Sequence, residues 1–139
     1  MHHIGNDIVD LTSPCNAGKS GDERFVNRVF TNTEKNIIYS SLNPDGILWS
    51  LWAAKEAAYK SAVKSSGNIA STPGLYEVDF HAGGHEGLLT GRVKTPAGVV
   101  NVSLFPGSEY VHCLGGVFSQ NDFDSVLWTV GEMDIDRAK

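Results

Sequence analysis

Cysteine is scarce in this 139-residue chain: Cys15 and Cys113 stand far apart, with no spacing that would hold a metal. Reduced thiols in a cytoplasmic protein are the expectation that follows. Long apolar runs are missing too. No stretch approaches the ~18–20 residues that a bilayer crossing needs, so no membrane partner is expected. The opening Met1-His-His-Ile-Gly5 lacks the charged start and apolar core of a signal peptide. Positive charge is in deficit: 11 Lys and Arg stand against 16 Asp and Glu, a net charge of −5, which makes nucleic acid a poor partner. There is no internal repeat and no low-complexity tract. An apolar content of 41% fits neither disorder nor a membrane protein. The length suits one domain over residues 1–139, with room for a real core.

The charge is unevenly placed. Residues 1–64 hold seven Lys/Arg and seven Asp/Glu, whereas residues 65–139 hold four against nine. The whole negative excess lies in the second half. An acidic partner is therefore expected to dock on the first.

Punctuation divides the chain. Thr12 to Gly21 reads as a loop. Asp22 to Val29 reads as a short helix with Phe25, Val26 and Val29 inward and Arg24 and Arg28 one turn apart. Thr31-Asn-Thr-Glu34 is a capping-box pattern that opens a helix to about Ser41. Asn43-Pro-Asp-Gly46 reads as a turn, followed by a long helix from about Ile47 to Lys64, and Ser65 to Gly74 as a further loop. Beyond Leu75 the period becomes strand-like: Leu75–His81, Gly87–Lys94, Gly98–Phe105, Tyr110–Phe118 and Val126–Gly131, with Thr95-Pro-Ala-Gly98 and Phe105-Pro-Gly-Ser108 as turns. Helices early and antiparallel strands late indicate an α+β fold, an N-terminal strand and helices packed on a mainly antiparallel sheet.

Trp49-Ser-Leu-Trp-Ala-Ala-Lys-Glu-Ala-Ala-Tyr-Lys60 carries the chemistry. Leu48, Leu51, Trp52, Tyr59, Ala62 and Val63 form one apolar stripe on this helix, and Lys55 falls near its middle. A lysine facing a core is expensive unless paired. Glu56 and Lys60 sit one turn apart at the stripe's edge. A carboxylate and two ammonium groups meeting where surface gives way to core is how a site for a metal and an anionic substrate would look. At the start of the chain, Ile4-Gly-Asn-Asp-Ile-Val-Asp-Leu11 reads as a short strand carrying Asp7 and Asp10, although aspartate is a poor strand former. Mg²⁺ takes oxygen ligands, usually one or two carboxylates with water and substrate phosphate. Asp7 and Glu56 would supply that pair if strand and helix pack together.

Each of these residues also has an ordinary reading. Asp7 and Asp10 could end an edge strand. Glu56 and Lys60 could be a surface i,i+4 pair, worth only ~0.3–0.5 kcal/mol. Arg24 and Arg28 could be a solvated helix face. His81 and His85 flank a glycine-rich turn, and His112 alternates with apolar residues as a structural histidine would. The Trp and Tyr residues of the long helix fit a core.

Three blocks, Gly5-Asn-Asp-Ile-Val-Asp-Leu11, Arg24-Phe-Val-Asn-Arg-Val-Phe-Thr31 followed by Glu34, and Trp52-Ala-Ala-Lys-Glu-Ala-Ala-Tyr-Lys60, resemble the 4′-phosphopantetheinyl transferase family in order and rough spacing. They cover about the first 65 residues. The resemblance implies transfer of the 4′-phosphopantetheine arm of coenzyme A to a serine of an acyl- or peptidyl-carrier protein, releasing 3′,5′-ADP. It implies Mg²⁺ on Asp7 and Glu56, with Glu56 accepting the serine proton. Lys60 would meet coenzyme A phosphate, Lys55 would share in cofactor binding or brace the helix, and Arg24 and Arg28 would dock the carrier. The chain has the length of the family's short holo-[acyl-carrier-protein] synthase type, a single copy of the fold that forms a homotrimer. Two departures stand out. Val102-Ser-Leu-Phe-Pro-Gly-Ser108 lacks the family's Ser-His pair, and Ser65-Ser-Gly-Asn68 stands where Gly-Thr-Gly is often found. A non-catalytic carrier-protein or coenzyme A binding module of the same fold is the alternative that these departures favour.

Overall fold

The computed structural model describes residues 3–82 and 88–116. The expected strand Val126–Gly131, the end of the strand expected to reach Phe118, and His85 lie outside these residues. Local chemistry sets the element boundaries. Strand β1 (Ile4–Asp10) closes where Asp10 accepts from both the amide nitrogen and the Oγ1 of Thr12, at 2.9 and 2.7 Å. This turn-forming role explains an aspartate at the strand's end. Helix α1 (Glu23–Val29) is capped by Asp22, whose carboxylate accepts from the Phe25 amide. Helix α2 (Asn32–Ser40) opens on the expected capping box between Thr31 and Glu34. The long helix α3 (Pro44–Ser66) begins earlier than the sequence suggests. Asn43-Pro-Asp-Gly46 is its start and not a separate turn: Asn43 caps the Gly46 amide and Pro44 takes the first helical position, where a missing N–H costs nothing.

Four more strands follow: β2 (Glu77–Ala82), β3 (Leu89–Thr95), β4 (Gly98–Phe105) and β5 (Tyr110–Gly116). Thr95 and Gly98 pair directly across the β3–β4 turn, with Gly98 in a positive-φ conformation that suits glycine. The strand order is β1-β5-β4-β3-β2, antiparallel throughout. The first strand therefore closes one edge beside the last described one, a long-range pairing that no local pattern announces.

Helix α3 lies across one face of the sheet, and its apolar surface is wider than one stripe. Ala53, Ala54, Ala57 and Ala58 are fully buried along with Leu48 and Leu51, while Trp52 and Tyr59 are only partly covered. The helix is sandwiched: the sheet covers one side, and Phe25 of α1 stacks against Trp49 and Trp52 on the other, with ring centroids 5.9 and 5.8 Å apart. The alanines let the sheet come close. Gly5 and Gly115 are cross-strand partners under Ala57. A Cβ on Gly5 would fall 2.6 Å from the Ser61 nitrogen and 2.7 Å from Cβ of Lys60. Only glycine permits this approach of β1 to α3.

Lys55 does face the interior and is 2% exposed. Its ammonium lies 2.7 Å from Oε1 of Glu34, 2.7 Å from the Val29 carbonyl and 3.1 Å from the Pro73 carbonyl. An ammonium has three donors, and all three are used. Glu34, fully buried, also accepts from the Thr31 and Val78 amides at 2.9 and 2.8 Å. One ion pair thus ties α3 to the end of α1, the start of α2, the turn before β2, and β2 itself. Removing one partner of such a pair strands a buried charge. Glu34→Gln is expected to lower unfolding stability by about 3–5 kcal/mol, read from urea denaturation. A Glu34→Gln/Lys55→Met double variant should recover part of that loss, because it leaves no charge unpaired.

Candidate active site

Close packing of β1 on α3 decides which side chains meet. Asp7 pairs with Cys113 of β5 and shares the α3-facing side of β1 with Gly5 and Val9. On α3, Glu56 and Lys60 lie about one turn apart along the helix rim that overhangs this strand. The Lys60 ammonium donates to Oδ1 of Asp7 at 3.2 Å and to the Asn6 carbonyl at 2.9 Å. One turn later, Lys64 donates to the Ile4 carbonyl at 2.6 Å and the Ser61 hydroxyl to the His3 carbonyl at 2.8 Å. Among the described residues β1 lies at an edge of the sheet, and these lysines cap its carbonyls there.

The two acids are electrostatically uncomfortable. Burial pushes the Asp7 carboxyl above its ordinary range, and Lys60, with a smaller contribution from His112, pulls against that. Burial also pushes the Glu56 carboxyl up, the negative charge of Asp7 adds to the push, and Lys60 offsets part of it. Each acid thus feels the same lysine, and Glu56 feels Asp7. Cys113, buried beneath Asp7, has its thiol pushed far up by burial and by that carboxylate, so it is an inert core residue.

This donor set suits one kind of ion. Two half-buried carboxylates that repel each other gain from a hard divalent cation between them. Among the described residues no group of three or more His, Cys, Asp or Glu could enclose a metal by itself. A hard cation held by this pair alone would leave its other positions to water and substrate oxygens.

Other residues singled out in the sequence lie elsewhere. Lys55 is adjacent to Glu56 in the chain but points into the core, where protein acceptors take all three of its donors. Its place is structural, and a direct coenzyme contact would require breaking that cluster. Arg24 and Arg28 are exposed on α1, Arg28 lying over the Phe25 ring at 5.9 Å. His112 stacks near Phe105, with centroids 5.8 Å apart. Sequence reasoning overlooked Glu34 as the partner of Lys55. The signal was present: a lysine in an apolar stripe demands a buried acid, and Glu34 closes a capping box. Gly5 and Lys64 were also overlooked, because their roles depend on the packing of β1 against α3. An apolar cavity of about 330 Å³, lined by Leu11, Ile47, Leu51, Phe80, Leu104 and Val111 among others, shares no residue with Asp7, Glu56 or Lys60.

The pKa directions give a stability test. A carboxyl whose folded pKa is raised binds its proton more tightly in the native state. Stability is then highest below the unfolded pKa, falls as pH rises through the window between the two values, and stays reduced above the folded one. Glu56→Gln is therefore expected to be more stable than the parent at neutral pH. The difference should vanish in acid below the ordinary carboxylate range, as followed by thermal unfolding across pH.

Comparison with known proteins bears on the same segments. Over 87 residues, 60% of this chain but 5% of the relative, the sequence is 32% identical to the fatty acid synthase subunit alpha of Schizosaccharomyces pombe. Over 67 residues, 48% of this chain and 55% of the relative, it is 33% identical to the holo-[acyl-carrier-protein] synthase of Chlamydia caviae. The chain thus spans a small part of the first relative and about half of the second. The fold is similar to the crystal structure of the holo-[acyl-carrier-protein] synthase from Neisseria meningitidis, with a TM-score of 0.56 and 20% identity, covering 84% of this chain and 98% of that one. A family model described as the 4′-phosphopantetheinyl transferase superfamily matches residues 3–114, a span holding β1, all three helices and the site they build. The chain belongs to the 4′-phosphopantetheinyl transferase superfamily.

Proposed function

We propose that the protein is a short-type 4′-phosphopantetheinyl transferase that moves the phosphopantetheine arm of coenzyme A to a serine of an acyl- or peptidyl-carrier protein. The observation that carries this reading is the meeting of Asp7, Glu56 and Lys60 at the β1–α3 contact, inside the segment matched by the family. The reaction is phosphoryl transfer: the serine oxygen forms a bond to phosphorus, the bond to the bridging oxygen breaks, and 3′,5′-ADP leaves. Catalysis of this kind is mostly positioning and charge neutralisation.

Asp7 and Glu56 would hold Mg²⁺. When bound, that ion supplies Lewis-acid stabilisation of charge on the pyrophosphate. The other steps fall to the chain itself. Glu56, on the rim of α3 beside Asp7, is the group that takes the serine proton. Lys60, 45% exposed and engaging two acceptors, has a third N–H to offer a phosphate oxygen. Lys55 and Glu34 position Glu56 by fixing the rotation of α3. The exposed Arg24 and Arg28 form the carrier-docking face, on the half of the chain where the basic residues concentrate. Assembly as a homotrimer and a cytoplasmic site of action belong to the same proposal; among the described residues no helix is long and apolar enough to cross a membrane.

Incubation with coenzyme A, Mg²⁺ and an apo-carrier protein, followed by mass spectrometry of the carrier, tests the reading. A carrier gaining one phosphopantetheine supports it. Coenzyme binding without transfer would instead identify the binding module that the missing Ser-His pair favours. Two variants sharpen the outcome. Glu56→Gln should abolish transfer while the protein still unfolds cooperatively. Arg24→Glu/Arg28→Glu should raise KM for the carrier far more than KM for coenzyme A, with a salt dependence weaker than that of the parent. An equal effect on both substrates would assign docking to another surface.

A further inference from the structure

We infer that Lys60 is a built-in competitor of the divalent cation, so that cation and coenzyme A bind this site cooperatively; the inference rests on the function proposed above. Its basis is a double engagement. The Lys60 ammonium lies on Oδ1 of Asp7 and on the Asn6 carbonyl, at 3.2 and 2.9 Å. A cation ligated by Asp7 would sit ~2.1 Å from a carboxylate oxygen. Its charge would then lie about one ion-pair distance from the ammonium, and the two positive charges would repel in a half-buried setting.

The lysines of α3 differ in how firmly they are held. Lys55 is 2% exposed and spends all three donors on protein acceptors. Among the described residues, Lys64 meets the Ile4 carbonyl and no acid. Lys60 is the intermediate case: 45% exposed, on a flexible four-carbon stem, and bound to a carboxylate that is 16% exposed. It can leave Asp7 by stem rotation without disturbing the core. A phosphate offers it an acceptor of higher charge. When coenzyme phosphate draws Lys60 off, Asp7 loses a resident positive neighbour and its affinity for the cation rises. By thermodynamic reciprocity, a bound cation favours the arrangement in which Lys60 faces phosphate.

Mn²⁺ provides the probe, its binding followed by electron paramagnetic resonance and calorimetry without coenzyme A. Lys60→Met should bind Mn²⁺ about tenfold more tightly than the parent, within the usual range of coupling. Lys60→Gln should agree, which guards against a folding defect in either variant. Lys64→Met, which removes a nearby charge that does not touch Asp7, should leave the affinity unchanged. Adding coenzyme A should tighten Mn²⁺ binding less in Lys60→Met than in the parent. Equal or weaker Mn²⁺ binding by both Lys60 variants overturns the competition. If it does so while Asp7→Asn still abolishes binding, the proposed metal site survives and only this inference falls. If Asp7→Asn leaves Mn²⁺ binding intact, the cation is not on Asp7 and both readings fall together.

Discussion

The buried pair of Lys55 and Glu34 is the constraint from which the rest of the architecture follows. Taking two charges out of water is costly, and a buried pair is tolerated only when the remaining hydrogen-bonding capacity is filled. Here it is filled by four backbone groups. Glu34 accepts the Thr31 and Val78 amides, and Lys55 donates to the carbonyls that end α1 and precede β2. The Val29 carbonyl ends a helix and the Thr31 and Val78 amides lie at the starts of a helix and a strand, whereas the Pro73 carbonyl also accepts from the Tyr76 amide. Apolar residues in the same places could fill the volume. They could not satisfy those amides and carbonyls, and they would not prescribe a single rotation of α3 about its axis.

That rotation is what places Glu56. Glu56 directly follows the buried lysine, so a helix that turned even partway would carry Glu56 away from β1. The other coordinate, the distance between helix and strand, is set by Gly5 and Gly115 under Ala57. Site geometry therefore depends on two unrelated devices: an ion pair on one side of α3 and a pair of glycines on the other. Gly5 lies against the base of Lys60, but neither device supplies a reacting group. Both constrain the backbone from which Asp7, Glu56 and Lys60 project, which keeps these side chains at fixed separation without packing that would block a substrate.

Much of this was legible in the sequence, and what was hidden has a common cause. The capping box at Thr31, the amphipathic helix with its anomalous Lys55, and the alternation in β3 and β4 are local signals, and the structure keeps them. Membership of the family was legible from the Asp7 strand and the Lys55-Glu56 helix, where motif and chemistry coincide. The start of α3 was misread because Asn-Pro-Asp-Gly suits a turn and a helix N-terminus equally well; the capping bond from Asn43 decides between them. Glu34 as the mate of Lys55, the pairing of β1 with β5, and the role of Gly5 were hidden because each joins residues far apart in the chain. A sequence shows that a buried lysine needs an acid, but the fold chooses which one.

The charge balance of the site explains why a stable fold tolerates it. Two carboxylates with raised pKa values and one shared ammonium leave a net negative site in a half-buried rim. Stability alone would favour replacing either acid, since each is held charged against burial and Glu56 also against its neighbour. The unfavourable energy is the same quantity that would make the site attractive to a cation. Compensation comes from outside the site, through the saturated Lys55–Glu34 cluster and the close helix–strand contact. A chain with a weaker core clamp would relieve the repulsion by letting β1 drift from α3. It would gain local comfort and lose the convergence of Asp7, Glu56 and Lys60 on which the proposed phosphoryl transfer depends.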